Sequence, residues 1–394
     1  MSVKWKVLSA AAIASLLFAG CAKEEASKNT ETKKTSQTEA KDKTEKKEAE
    51  LAPSEVVQAY KDGVAELDKA KQGQPVDFDK VTTLYKEKLQ ALVQGRDGEF
   101  TEQIDQTIVA ALEAGKNKQM EPMVVRQLFD KLMQKEFFQT MRHDFTEADK
   151  NWDKKGAAQK EYEEAMSFYK ALETTVEKRD TANGTKMKDT IASGFSEMKA
   201  AIEKGDKLSF ALGKQVVDKT LMKTFYLATG DIPNGYAAKV AEAAKKDEKE
   251  AKVEQAEGWA FYQAVYPYVK KHASEEADLI LKQFDLQTDA KTLDAQAVNK
   301  AFVRGLAKVA LDEYKESKEN FGQDKGVITG LEGALFINVI EKDLKALLGD
   351  QSVTNLTATA QAYIDAAKAK DKAKADKAMA ELETTLNKVV QTAK

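Results

Sequence analysis

The sequence predicts an all-α protein of antiparallel helices, in about three degenerate units of 75–93 residues that form a bundle or a short solenoid. Three observations predict it. The chain has five prolines in 394 residues, abundant Ala, Lys and Glu, and few β-branched runs, which favours helix over strand. Apolar residues recur at helical spacing in long stripes. The stretches that carry those stripes resemble one another in sequence, as stacked helical units do.

The elements follow in order. Lys4 and Lys6 precede an apolar run from Val7 to Gly20, too short to span a bilayer. Residues 1–20 therefore read as a removable export signal. The run ends Leu17-Phe18-Ala19-Gly20-Cys21, which resembles the lipobox of bacterial lipoproteins, with Cys21 at its invariant position. That resemblance implies cleavage before Cys21, acylation of Cys21, and a mature protein held by lipid on the extracytoplasmic face of the cell membrane. Cys21 is the only cysteine, so no intrachain disulfide can form. Residues 21–52 hold Lys, Glu, Thr, Ser and Ala with one leucine and no aromatic, too little apolar surface to fold. They read as a disordered tether with a reach of roughly 30 Å. Pro53-Ser54-Glu55 reads as the entry to the first helix, with Ser54 as its cap.

Residues 53–394 form the predicted helical domain. Gln127-Leu128-Phe129-Asp130-Lys131 returns as Gln215-Val216-Val217-Asp218-Lys219 and as Gln296-Ala297-Val298-Asn299-Lys300. A later element, Glu164-Ala165 with Phe168-Tyr169, returns as Glu257-Gly258 with Phe261-Tyr262 and as Glu332-Gly333 with Phe336-Ile337. A third likeness links Arg96-Asp97 and Thr107-Ile108 to Arg179-Asp180 and Thr190-Ile191, at a constant offset of 83. Phe129, Met133 and Phe137 make one apolar stripe, matched by Val217, Leu221, Phe225 and by Val298, Phe302, Leu306. Phe168, Leu172 and Val176 make a second, matched by Phe261, Val265, Val269 and by Phe336, Ile340, Leu344. Gly115, Pro122, Gly205, Pro233-Asn234-Gly235 and Gly322 fall between predicted helices. Ile364 to Lys394 reads as one long amphipathic helix that ends the stack.

Glu164, Glu257 and Glu332 each lie four residues before an aromatic on the inward face. A carboxylate placed there needs a cation, a donor or a proton. Lys131, Lys219 and Lys300 are the candidate partners, one within each unit, together with Lys135, Lys223 and Arg304. In the competing reading the three glutamates converge on one metal, as carboxylates do in some helical bundles.

Other chemistry finds less support. There are two histidines. His143 and Glu147 stand one helical turn apart and are weak metal-ligand candidates. His272 occupies the place of Arg179 in the preceding unit and reads as a tolerant surface position. No Gly-x-Ser-x-Gly elbow, His-Glu-x-x-His helix or P-loop occurs. Gly330-Leu331-Glu332 is similar to part of the Arg-Glu-Gly-Leu-Glu signature of iron permeases, but the Arg-Glu is missing and no membrane span surrounds it. Trp259 and Tyr266 read as core packing or as the wall of a groove.

The formal net charge of −3 becomes −5 once the signal is removed, with both signs interspersed. Nucleic acid, which needs a concentrated basic face, is not an expected partner. The expected function is that of a non-enzymatic, lipid-anchored binding or scaffold protein of the bacterial cell envelope. Its partners would be the membrane, through Cys21, and a protein or small ligand. No cofactor is expected. The alternative is a metal- or haem-binding lipoprotein that supplies an uptake system, similar in outline to helical extracytoplasmic proteins of bacterial iron uptake.

Overall fold

The computed structural model describes residues 51–393. The predicted export signal, Cys21 and the predicted tether as far as residue 50 lie outside the described residues. Among the described residues the regular elements are α-helices with short 3-10 turns, and none is a strand. No helix there is long and apolar enough to cross a membrane.

The first four helices are α1 (Pro53–Leu67), α2 (Phe78–Lys88), α3 (Gln90–Phe100) and α4 (Ile104–Lys116). Next come α5 (Pro122–Lys150), α6 (Ala157–Asn183), α7 (Met187–Lys204), α8 (Lys207–Thr229) and α9 (Tyr236–Ala243). Then follow α10 (Glu248–Tyr262), α11 (Tyr266–His272), α12 (Ser274–Phe284), α13 (Ala295–Glu319) and α14 (Asp324–Val339). The chain closes with α15 (Glu341–Leu348), α16 (Asp350–Lys368) and α17 (Lys372–Thr392). Short connections make α5–α6, α7–α8, α13–α14 and α16–α17 antiparallel pairs, each packed along its length.

The predicted stripes are the core. Phe129, Met133 and Phe137 on α5 are buried, as are Val217, Leu221, Phe225 on α8 and Val298, Phe302, Leu306 on α13. The second set is buried too, from Phe168 on α6 to Phe261 on α10 and Phe336 on α14. The long pairs interlock one step along the chain. Besides α6, α5 packs on α10; besides α7, α8 packs on α14; besides α14, α13 packs on α17. The offset of 83 also has a local meaning. Asp97 accepts from the backbone N–H groups of Ile104 and Asp105 (2.8 and 2.9 Å) at the start of α4. Asp180 accepts from those of Met187 and Lys188 (2.7 and 2.9 Å) at the start of α7.

Four expectations need correction. Ser54 does not cap α1: the chain enters through Pro53 at the first helical position, and Glu55 turns back to accept from the Ala52 N–H at 3.2 Å. Gly115 does not separate helices. It lies inside α4, where a Cβ would sit 2.5 Å from Phe78 Cε1, so glycine is kept for close packing. The last segment is two helices, because α16 ends at Lys368 and Asp371 caps α17 by accepting from the Lys374 N–H at 3.1 Å. His272 is not a tolerant surface position. Its ring stacks on Tyr268 at 5.1 Å and its Nδ1 lies 3.1 Å from Asp312.

Candidate functional site

The recurring Asp-Lys pair builds the polar interior. On α5, Lys131 Nζ lies 2.7 Å from Asp130 and 3.2 Å from Glu257 of α10. On α8, Lys219 Nζ lies 2.8 Å from Asp218 and 3.2 Å from Glu332 of α14. Each carboxylate also accepts from a tyrosine, Tyr236 for Glu257 and Tyr268 for Glu332. Each lysine stands over the aromatic one turn after its glutamate, Lys131 over Phe261 (5.0 Å) and Lys219 over Phe336 (5.4 Å). Arginine completes both groups: Arg126 pairs with Asp130 at 2.8 Å, and Arg142 with Asp218 at 2.6 Å. Burial opposes ionisation of Asp130 and Asp218, but the neighbouring lysine and arginine outweigh it and hold both carboxyls well below the usual range.

These contacts revise the predicted pairing. Glu257 and Glu332 do meet lysines, but from the preceding predicted unit rather than their own. The three glutamates do not converge: Glu164 pairs along its own helix with Lys160 at 3.1 Å. Lys300 is exposed and forms no ion pair among the described residues. Its neighbour Asn299 instead donates to Asp343 at 2.9 Å and to the Gly230 carbonyl at 3.1 Å. His143 and Glu147 take different partners. His143 Nδ1 is 2.8 Å from Glu99, while Glu147 holds Lys150 (2.8 Å) and accepts from Asn151 (3.1 Å).

The Asp130-Lys131-Glu257 group opens outward. Between α1, α5 and α6 lies a cleft of about 490 Å³ whose floor holds Arg126, Asp130, Lys131 and Glu257. Tyr60 of α1 donates to Asp130, Gln134 donates to the same carboxylate at 2.8 Å, and Thr175 of α6 donates to Gln134 at 2.6 Å. This floor is buried and its formal charges balance. The rim is different. Lys61, Lys71, Lys170 and Lys178 stand around it with Asp68 as the one acid, and Asp68 is already held by Arg126 and Lys71, both at 2.8 Å. Partial burial, and then the field of Lys131, hold the Lys178 ammonium below the ordinary lysine range. The cleft thus carries an excess of positive charge over a floor rich in hydrogen-bonding groups.

Two carboxylate groups are tight enough to consider for a cation. Asp97, Glu102 and Glu136 converge, as do Asp144, Glu161 and Glu164. In the first, the fully buried Lys135 already donates to Glu102, to Glu136 (2.8 Å) and to Gln139 (2.7 Å). In the second, Asp144 is buried and its Oδ2 has no hydrogen-bond partner. Burial, and then Glu164 and Glu161, push its carboxyl up to about 8.

Sequence reasoning named Lys131, Glu257, Lys219 and Glu332 but missed Arg126, Arg142, Tyr60, Lys178 and Asp144. Arg126 had a legible signal, one turn before Asp130 on the same helix. Tyr60 is 70 residues from its partner and had none. Compared with known protein families, curated proteins and solved structures, the chain matches none.

Proposed function

We propose that this chain is a non-enzymatic, lipid-anchored extracytoplasmic binding protein whose cleft between α1, α5 and α6 takes a small anionic ligand. The observation that carries the reading is the cleft's make-up: four rim lysines around a buried, charge-balanced polar floor. Arg126 and Gln127 supply oriented donors, and low local dielectric strengthens their hold on an anion. Anchoring through Cys21, implied by the lipobox resemblance, would hold the cleft outside the membrane on the tether of residues 21–52.

Two experiments test the two halves. Melting the full chain against phosphate, pyrophosphate, citrate and sulfate should give a concentration-dependent rise in Tm with at least one of them. A flat panel contradicts the anion reading. In cells, Cys21→Ser should release the protein from the membrane fraction; retention there contradicts lipid anchoring.

A further inference from the structure

We propose that Asp144 of α5 with Glu161 and Glu164 of α6 forms a binding site for a hard divalent cation, separate from the anion cleft. The three side chains each offer a carboxylate oxygen, and these oxygens lie within 4.8 Å of one another. At that limit the point equidistant from the three oxygens lies about 2.8 Å from each, so a small inward shift brings all three to the roughly 2.3–2.6 Å at which oxygens bind calcium. The independent observation is Asp144 itself. It is 3% exposed and its Oδ2 has neither a donor nor solvent, a state a buried carboxylate does not hold cheaply.

The charges around the triad leave room for a cation. Lys160 pairs with Glu161 at 3.6 Å and with Glu164 at 3.1 Å, but its side chain is 65% exposed and can swing aside. Arg96 on α3 acts on Asp144 through its field, but no ion pair joins them: its Nη1 stands 3.3 Å from Glu99, and its Nε and Nη1 have no hydrogen-bond partner. His143, next to Asp144 in sequence, is taken by Glu99. Lys160 answers one of the two glutamates, and no ion pair reaches the buried Asp144, whose proton a bound cation would displace. The other acidic triad, around Glu136, differs at this point, because the Lys135 ammonium stands among its carboxylates. An all-carboxylate set selects calcium, magnesium or manganese over softer metals. Three protein oxygens completed by water imply modest affinity, with a Kd on the order of 0.1–1 mM.

The test is calorimetric titration of CaCl2, MgCl2 and MnCl2 into the full chain. The expected result is one saturable site for at least one ion. Asp144→Asn should weaken it by more than about tenfold, and Glu164→Gln, on the open side of the site, should weaken it comparably. Lys160→Gln should tighten it severalfold by removing the competing ammonium. No saturable heat with any of the three ions overturns the proposal. So does affinity that is unchanged in both Asp144→Asn and Glu164→Gln.

Discussion

Lys131 forms its longer-range ion pair, at 3.2 Å, with Glu257, 126 residues further on and in the next predicted unit, while Glu164 of its own predicted unit is paired elsewhere. Lys219 and Glu332 repeat the arrangement at the same distance. Each pair therefore ties a long helix to the second helix of the next segment. The contact stitches the domain together rather than closing each segment on itself. Removing one partner of a buried ion pair strands the other's charge. Lys131→Met leaves Glu257 and Asp130 short of a cation and should destabilise the fold by about 3 kcal/mol, with Lys219→Met similar. Lys300→Met, at the matching but exposed position, should change stability by less than about 0.5 kcal/mol. Urea unfolding of the three variants checks this ordering.

Glycine contacts give a second prediction of opposite signs. Gly115→Ala would drive a Cβ to 2.5 Å from the Phe78 ring and should lower stability by about 1–3 kcal/mol. Gly95→Ala, within α3 and with nothing inside 4 Å, should raise it by about 0.4–1 kcal/mol. Thermal melts of the two variants read the difference.

The third prediction concerns pH. Burial pushes the Glu136 carboxyl up to about 7, against the pull of Lys135 and with help from Glu102 and Asp97. Its ordinary value is 4.5, so between these values the folded state holds a proton that the unfolded state has released. Stability then falls as pH rises from about 4.5 to about 7, by on the order of 2–3 kcal/mol from this group. Glu136→Gln should flatten that fall and leave the protein more stable at pH 7.5. Tm measured from pH 5 to 8 in both proteins checks the slope.

Ionic strength gives a fourth. The rim lysines are exposed, so their attraction for an anion is screened beyond a Debye length of about 8 Å at physiological salt. Any anion bound in the cleft should weaken severalfold between 50 and 300 mM NaCl, as binding measurements at the two salt levels would show.

Much of the fold was legible because burial leaves a period in the sequence. Phe129, Met133 and Phe137 announced their helix and its inward face, as did their counterparts on α8 and α13. Lys131 and Glu257 were legible as charges in need of partners. Which lysine met which glutamate was not, since helical spacing orders residues along one helix and says nothing of its neighbours. The cleft was hidden for the same reason: Tyr60, Arg126 and Lys178 sit on three different helices. Asp144 carried no signal at all, because its burial and missing donor arise only from the packing of α5 on α6.

The most direct test of the anion cleft is calorimetric titration of phosphate, pyrophosphate, citrate and sulfate into the full chain and into a Lys170→Glu/Lys178→Glu double variant. Both substituted positions are exposed, so the variant should fold with little change in stability. Saturable binding to the unaltered chain, weakened by more than about tenfold in the variant, is the predicted result. Binding of equal strength in both, or in neither, would contradict the account.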